Sequence, residues 1–236
     1  MFQFKQFTIN QENTAMKVGT DGVLLGAWAP IDHEPYSILD IGTGTGLIAL
    51  MLAQRTESEQ IDAIEIDADA HEQATNNFEN SPWNDRLFCF HASLDGFMEE
   101  LEDEEYDLIV SNPPFYSENV SSGNIARDNA RQNHSLPFED LCEAASVLLT
   151  DEGIFAVIIP YKEHERFIAL ALENDLHPVK ITHVKGTPDS EIKRALLAFS
   201  RRKIDRIPID QLVIETARHQ YTAEYTALTK DFYLNL

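Results

Sequence analysis

The sequence predicts an α/β fold: a mostly parallel, seven-stranded sheet with helices on both faces and an antiparallel strand near its C-terminal end. Two observations carry that expectation. From Tyr36 onward, short β-prone apolar runs alternate with segments of helical period, the pattern of parallel strands joined by crossover helices. Near the end the alternation stops. Strand-like runs around Ile181 and Leu197 flank the turn Gly186-Thr187-Pro188-Asp189, which reads as an antiparallel pair.

The elements follow in order. Thr20-Asp21-Gly22 before the apolar run Val23–Trp28 reads as a helix start, with Asp21 as a possible N-cap. Strand Ser37–Ile41 runs through the glycine turn Gly42-Thr43-Gly44-Thr45-Gly46 into helix Gly46–Arg55. Strand Gln60–Ile66 leads to Asp67, the expected cap of helix Ala68–Asn80. Strand Leu87–His91 is followed by Ser93 and strand Tyr106–Ser111. Before the latter, the seven carboxylates between Glu99 and Asp107 read as a solvated helix end and loop. A long loop, Tyr116–Leu136, precedes helix Pro137–Leu149, strand Ile154–Pro160 and helix Lys162–Asn174. Strands Val179–Val184 and Arg194–Ser200 complete the seven, and the tail Leu212–Leu236 reads as a strand and a helix. No repeat or linker divides the chain. Residues 1–236 are therefore expected to form one domain, with 1–35 as an extension near the site, 36–200 as the core and 201–236 as a tail.

Composition sets limits. At 236 residues and 43% apolar content the chain can bury a full core. Its longest apolar stretch, Leu47–Ala53, is too short to span a bilayer, and Met1–Phe7 lacks an apolar signal region. Cys89 falls in an expected strand and Cys142 in an expected helix. Buried reduced thiols in a cytosolic protein fit that placement better than a disulfide or a metal site. The net charge of −22 is unusual for a protein that approaches phosphates. Lys180–Arg206 runs the other way, with eight basic against three acidic residues.

Two motifs carry chemistry. In Gly42-x-Gly44-x-Gly46 the backbone can approach a ligand closely, and a helix start offers N–H donors. A dinucleotide fingerprint needs its third glycine one residue later, where Leu47 stands, which disfavours NAD or FAD. S-adenosyl-L-methionine carries a carboxylate and an ammonium, and Asp40 suits the ammonium. Glu65, ending the second strand, is placed to accept from ribose hydroxyls, and Ser93 is either an adenine contact or a helix N-cap. The second motif, Asn112-Pro113-Pro114-Phe115, ends the fourth strand. Asn112 and the Pro113 carbonyl can accept hydrogen bonds from an –NH₂ group, the prolines fix the backbone, and Phe115 offers a stacking face. The order of the motifs along the chain points to methyl transfer to nitrogen. In the long loop, Arg127 and Arg131 are candidates for phosphate contacts and Tyr116 for stacking on or shielding the pocket.

The chain resembles a known family. Phe4-Lys5-Gln6-Phe7, the segment Met16-Lys17-Val18-Gly19-Thr20-Asp21-Gly22 continuing to Trp28, Asp40–Gly46, Glu65, Asn112–Phe115 and Arg194-Ala195-Leu196-Leu197 are similar to the bacterial tRNA adenine N6-methyltransferases that act on a valine tRNA. That resemblance implies a Rossmann-like class I methyltransferase fold and N6 methylation of adenosine 37 in the anticodon loop. It also implies that Lys17, Thr20 and Asp21 lie near the cofactor or the target base, and that Arg194 belongs to the substrate side. Protein-glutamine and ribosomal-RNA guanine methyltransferases share the Asn-Pro-Pro step. The former carry a helical N-terminal region, and only about 35 residues precede the first strand here. A binding module without activity would be expected to lose Asn112 or Gly44, and both are present.

Overall fold

The computed structural model describes residues 1–14, 16–101, 104–114 and 136–235. The chain opens with a small antiparallel pair, β1 (Phe2–Gln3) and β2 (Thr8–Ile9). Helix α1 (Thr20–Trp28) is capped by Gly19 rather than by Asp21, which lies in the first turn. There follow β3 (Ser37–Ile41), α2 (Leu47–Arg55), β4 (Gln60–Glu65), α3 (Ala68–Glu79), β5 (Leu87–His91), α4 (Leu94–Glu100) and β6 (Tyr106–Ser111). From Phe138 onward come α5 (Phe138–Leu148), β7 (Leu149–Pro160), a 3-10 turn at Tyr161–Glu163, α6 (His164–Glu173), β8 (His177–Lys185) and β9 (Ile192–Ser200). The expected loop Tyr116–Leu136 lies almost wholly outside the described residues. The tail adds β10 (Ile209–Val213), the pair β11 (Glu215–Ala217) and β12 (Gln220–Tyr221), and α7 (Ala223–Thr229).

The central sheet has the order β10-β8-β9-β7-β6-β3-β4-β5. Neighbours pair in parallel except at β9, which runs antiparallel to both β7 and β8. All seven expected strands are present, and the expected antiparallel pair is β8 with β9. An eighth, β10, extends the edge and begins at Ile209, earlier than the tail strand expected from Leu212. Also unexpected are the short pairs β1–β2 and β11–β12 and helix α4, whose seven residues bury only Leu94 and Phe97 and so leave a weak periodic signature.

Period-two alternation sends consecutive residues of each central strand into different cores. Ile38, Ala63, Val110 and Ala156 join α1, α2 and α3 on one face, while Leu39, Ile64, Ile109 and Phe155 join α4, α5 and α6 on the other. Helix α2 is buried from Leu47 to Ala53, consistent with its packing against both the sheet and α1. The two helices approach closely at Gly26, where a Cβ would lie 2.8 Å from Met51 Sδ.

The N-terminal segment is fastened at its base. Phe4 stacks on Phe7 with ring centroids 4.7 Å apart and bridges to Tyr233, while the Lys5 amide donates to the Phe232 carbonyl at 2.8 Å. This clasp directs the stretch from Thr14 to Gly22 along the C-terminal rim of the sheet, where ligands of open α/β sheets lie.

Candidate functional site

A cavity of about 1130 Å³ opens at that rim, over the ends of β3, β4 and β6. Gly42 and Gly44 form its floor with φ of +73° and +58°, and a Cβ at either would meet no atom within 4 Å. The backbone there is bare toward open space. The loop's amides are not the free donors that a glycine-rich helix start suggests. Gly42 and Thr43 donate to the Ile64 carbonyl, Gly46 donates to Thr43, and Gly44 donates to Glu65 Oε2 at 2.9 Å.

Asp40 sits beneath this loop, fully buried and away from the cavity wall. Its Oδ2 accepts from Thr43 Oγ1 at 2.6 Å and from the Ala49 amide at 3.2 Å, capping α2, whose N-cap Gly46 has no side chain for the task. Its Oδ1 has no partner among the described residues. Burial pushes the carboxyl up to about 7 despite those hydrogen bonds. An acid raised on folding binds a proton as the chain folds. Its burial therefore costs nothing below its unfolded pKa of about 4 and the full amount above 7, on the order of a few kcal/mol. Asp40→Asn keeps an acceptor for Thr43 and Ala49 without the charge. Its melting temperature relative to the unaltered protein should rise between pH 4.5 and 8 in thermal scans. An equal offset at both pH values would show that Asp40 ionises as easily folded as free.

Glu65 ends β4 on the cavity wall, its Oε2 on Gly44 and its Oε1 accepting from the Asp67 amide at 2.9 Å. Each oxygen keeps a second lone-pair direction for a ligand hydroxyl. Asp67 caps α3 through the Ala70 amide, as expected. Ser93 caps α4 through the Gly96 amide at 3.1 Å and also lines the cavity, beside Asp95. Asn112 follows the last residue of β6. The Ser111 hydroxyl donates to the Ile41 carbonyl at 2.8 Å and ties the end of β6 to the start of the glycine turn. Asn112 lines the cavity, and its Oδ1, shielded from solvent, has no hydrogen-bond partner among the described residues. Pro113 is buried behind the wall and Pro114 lies on it. Phe115, Tyr116, Arg127 and Arg131 lie outside the described residues.

Lys17, Thr20 and Asp21 line the cavity from the N-terminal segment, and Arg194 faces them from β9. Arg194 Nε donates to Asp21 Oδ2 at 2.7 Å, linking the two walls. Sequence reasoning missed Asp140, which lines the cavity, and Asn77, which braces it. Nearly inaccessible on α3, Asn77 donates to the carbonyls of Asn10 (2.9 Å) and Thr45 (2.8 Å) and accepts from the Asn10 amide (2.9 Å). One side chain thus ties the N-terminal segment to the glycine turn. Its only signal was a pair of weak helix formers, Asn76-Asn77, inside a helical run.

The basic segment does not form one face. Lys185, Lys193 and Arg194 stand at the cavity end of β8 and β9, whereas Arg201 donates to the Ser146 and Leu149 carbonyls and Arg202 pairs with Glu152 at the opposite end. Gly46 is also absent from the wall and packs on Phe78. Cys89 and Cys142 are free thiols, both pushed up to about 12 by burial. Among the described residues no group of three or more His, Cys, Asp or Glu could hold a metal ion, and no helix is long and apolar enough to cross a membrane.

The parallel sheet with one reversed strand, the glycine turn after its first central strand and Asn-Pro-Pro after its fourth define a class I methyltransferase dependent on S-adenosylmethionine. The methyltransferase small domain pattern matches residues 29–174. The chain is 66% identical over its whole length to the full-length tRNA1(Val) (adenine(37)-N6)-methyltransferase of Flavobacterium johnsoniae. It is 42% identical to the protein of that name from Proteus mirabilis, covering 99% of this chain and 93% of the relative. A predicted O-methyltransferase from Agrobacterium tumefaciens shares the fold with a TM-score of 0.71 at 21% identity, over 90% of this chain and 96% of that one. The chain belongs to the family of tRNA1(Val) (adenine(37)-N6)-methyltransferases.

Proposed function

We propose that this protein transfers a methyl group from S-adenosylmethionine to the N6 amine of adenosine 37 in the anticodon loop of a valine tRNA in the cytosol; its relatives' names state methylation of adenine 37 at N6 in tRNA1(Val). The observation that carries the reading is the Asn112 Oδ1 acceptor, held without a partner on the cavity wall among the described residues. Leaving such an atom unpaired costs about 1–3 kcal/mol, which a ligand N–H relieves.

The cavity fits the methyl donor. Asp21, Glu65, Asp67, Asp95 and Asp140 line it against Lys17 and Arg194, a balance suited to a ligand with a net positive charge. Gly42 and Gly44 leave room for it, and Glu65 is placed for ribose hydroxyls. Lys17, Thr20 and Asp21 line the cavity from the N-terminal segment, and Asp40 shapes the floor from below. When bound, the donor supplies an electrophilic methyl group on a sulfonium. The adenine amine is a weak nucleophile because its lone pair is delocalised into the ring. Asn112 Oδ1 and the Pro113 carbonyl, each accepting one N6–H, localise that lone pair and stabilise the positive charge that grows on nitrogen. Pro113 and Pro114 keep both acceptors aimed. The methylated nitrogen then gives up a proton to water without a dedicated base. Phe115 is assigned to stacking on the base, Tyr116 to shielding it, and Arg127, Arg131 and Arg194 to the RNA side.

Incubation with methyl-labelled donor and tRNA from cells lacking this modification, followed by digestion to nucleosides, should place label in N6-methyladenosine. Label in glutamine of a protein substrate or in guanosine of ribosomal RNA, with none in tRNA, would replace this reading.

A further inference from the structure

Three rings gather one strand beyond Asn112. Tyr161 follows Pro160 at the end of β7, the neighbour of β6 in the sheet, so it stands at the same rim as the target pocket. The His164 ring lies against Tyr161 with centroids 4.4 Å apart and planes 13° from parallel. His183 of β8 meets both rings edge-on, at 5.0 Å from Tyr161 and 5.6 Å from His164. The register explains the meeting: Ile159, Ala195 and His183 form one row across β7, β9 and β8 and share a sheet face, on which α6 also packs. All three residues are half-buried, neither sealed in the core nor fully exposed. His164 Nδ1 donates to the Tyr161 carbonyl at 2.5 Å, which fixes the ring's orientation.

Nothing in the methyl-transfer chemistry uses these rings. We propose that Tyr161, His164 and His183 form a stacking platform for a nucleotide flanking the target adenosine in the RNA, an inference that rests on the tRNA reading above. Strands lie about 4.8 Å apart, so the cluster spans the distance from one strand to roughly three beyond Asn112. A base next to a flipped adenosine falls in that range. Charge supports stacking over phosphate binding. The chain carries −22; of the rim cations, Lys162 and Lys193 have acidic neighbours in Glu163 and Glu191, and Lys185 donates to the Pro188 carbonyl. Burial and the nearby His164 hold the His183 imidazole below its ordinary range, which favours a neutral ring. Stacking on neutral rings depends little on salt, whereas binding through phosphates weakens steeply as salt rises.

The test uses the full-length protein and a tRNA transcript that the unaltered enzyme methylates. Tyr161→Ala and His183→Ala should each raise KM for tRNA about tenfold, the loss expected for a stacked base, with kcat and methyl-donor affinity near unchanged. Tyr161→Phe keeps the ring and should behave as the unaltered enzyme. On the unaltered protein, the imidazole NMR resonances of His164 and His183 should shift on adding tRNA in the presence of S-adenosylhomocysteine, a readout that needs no variant to fold. Unshifted resonances, or an unchanged KM in folded Tyr161→Ala, would overturn the platform while leaving the tRNA reading intact. Failure of the unaltered enzyme to methylate any tRNA would instead overturn that reading, and the platform with it.

Discussion

Asn112→Ala is expected to lower turnover by two to three orders of magnitude, the loss seen when one preorganised transition-state hydrogen-bond partner is removed. Methyl-donor affinity should stay within about twofold, because Glu65 and the glycine turn are untouched. A second readout separates this role from a structural one. Asn112 Oδ1 has no partner among the described residues, so truncation removes an unsatisfied buried acceptor rather than breaking a bond through it. The melting temperature should therefore hold or rise slightly, since deleting an unpaired buried polar atom relieves its desolvation cost. Single-turnover rates with saturating donor and tRNA, alongside calorimetric donor titration and thermal scans, test all three statements. A variant that turns over normally would remove Asn112 from the mechanism. One that melts well below the unaltered protein would recast it as a support of the β6 end.

What the sequence made legible was what depends on local pattern. Ser37–Ile41, Leu87–His91 and Tyr106–Ser111 were bounded to the residue because each apolar run is cut off by a turn or cap. β7 was not: of its extra residues Leu149–Gly153, Asp151, Glu152 and Gly153 carry no strand signal, and only Leu149 pairs with β6, at Tyr106, before the register shifts. The candidate site divides in the same way. Glu65 and Asn112 could be placed on the cavity wall from their position at strand ends, a consequence of sheet topology. Asp40 could not be placed beneath the loop instead, because its burial follows from the helix amide it caps across the turn. Asn77 was hidden for a different reason: its three hydrogen bonds join segments 32 and 67 residues away, and no local pattern records them. The scattering of the basic run between the two ends of β8 and β9 likewise follows from the antiparallel register, which a count of charges along the chain does not contain.

Gly46→Ala is expected to be the most destabilising single-methyl change in the glycine turn. Two effects add. Gly46 has φ of +79°, a left-handed conformation that costs an L-residue about 1–2 kcal/mol. A Cβ there would also lie 2.5 Å from Cε1 of Phe78, a ring 2% exposed within the core that packs under α2 and α3. The ring cannot move aside without displacing its neighbours, and overpacking of that kind costs about 1–3 kcal/mol. The sum, roughly 2–5 kcal/mol, corresponds to a fall in melting temperature on the order of 10 °C for a chain of this size. Gly44→Ala provides the contrast. It shares the positive φ, but its Cβ meets no protein atom and points into open space on the cavity floor. That variant should lose only about 1–2 kcal/mol of stability from backbone strain, and its larger loss should appear in methyl-donor affinity. Paired melting curves and donor titrations of the two variants decide the matter. Equal destabilisation would mean that Phe78 yields and strain alone governs the turn. The expected split would show that the third glycine serves the core while the second serves the ligand.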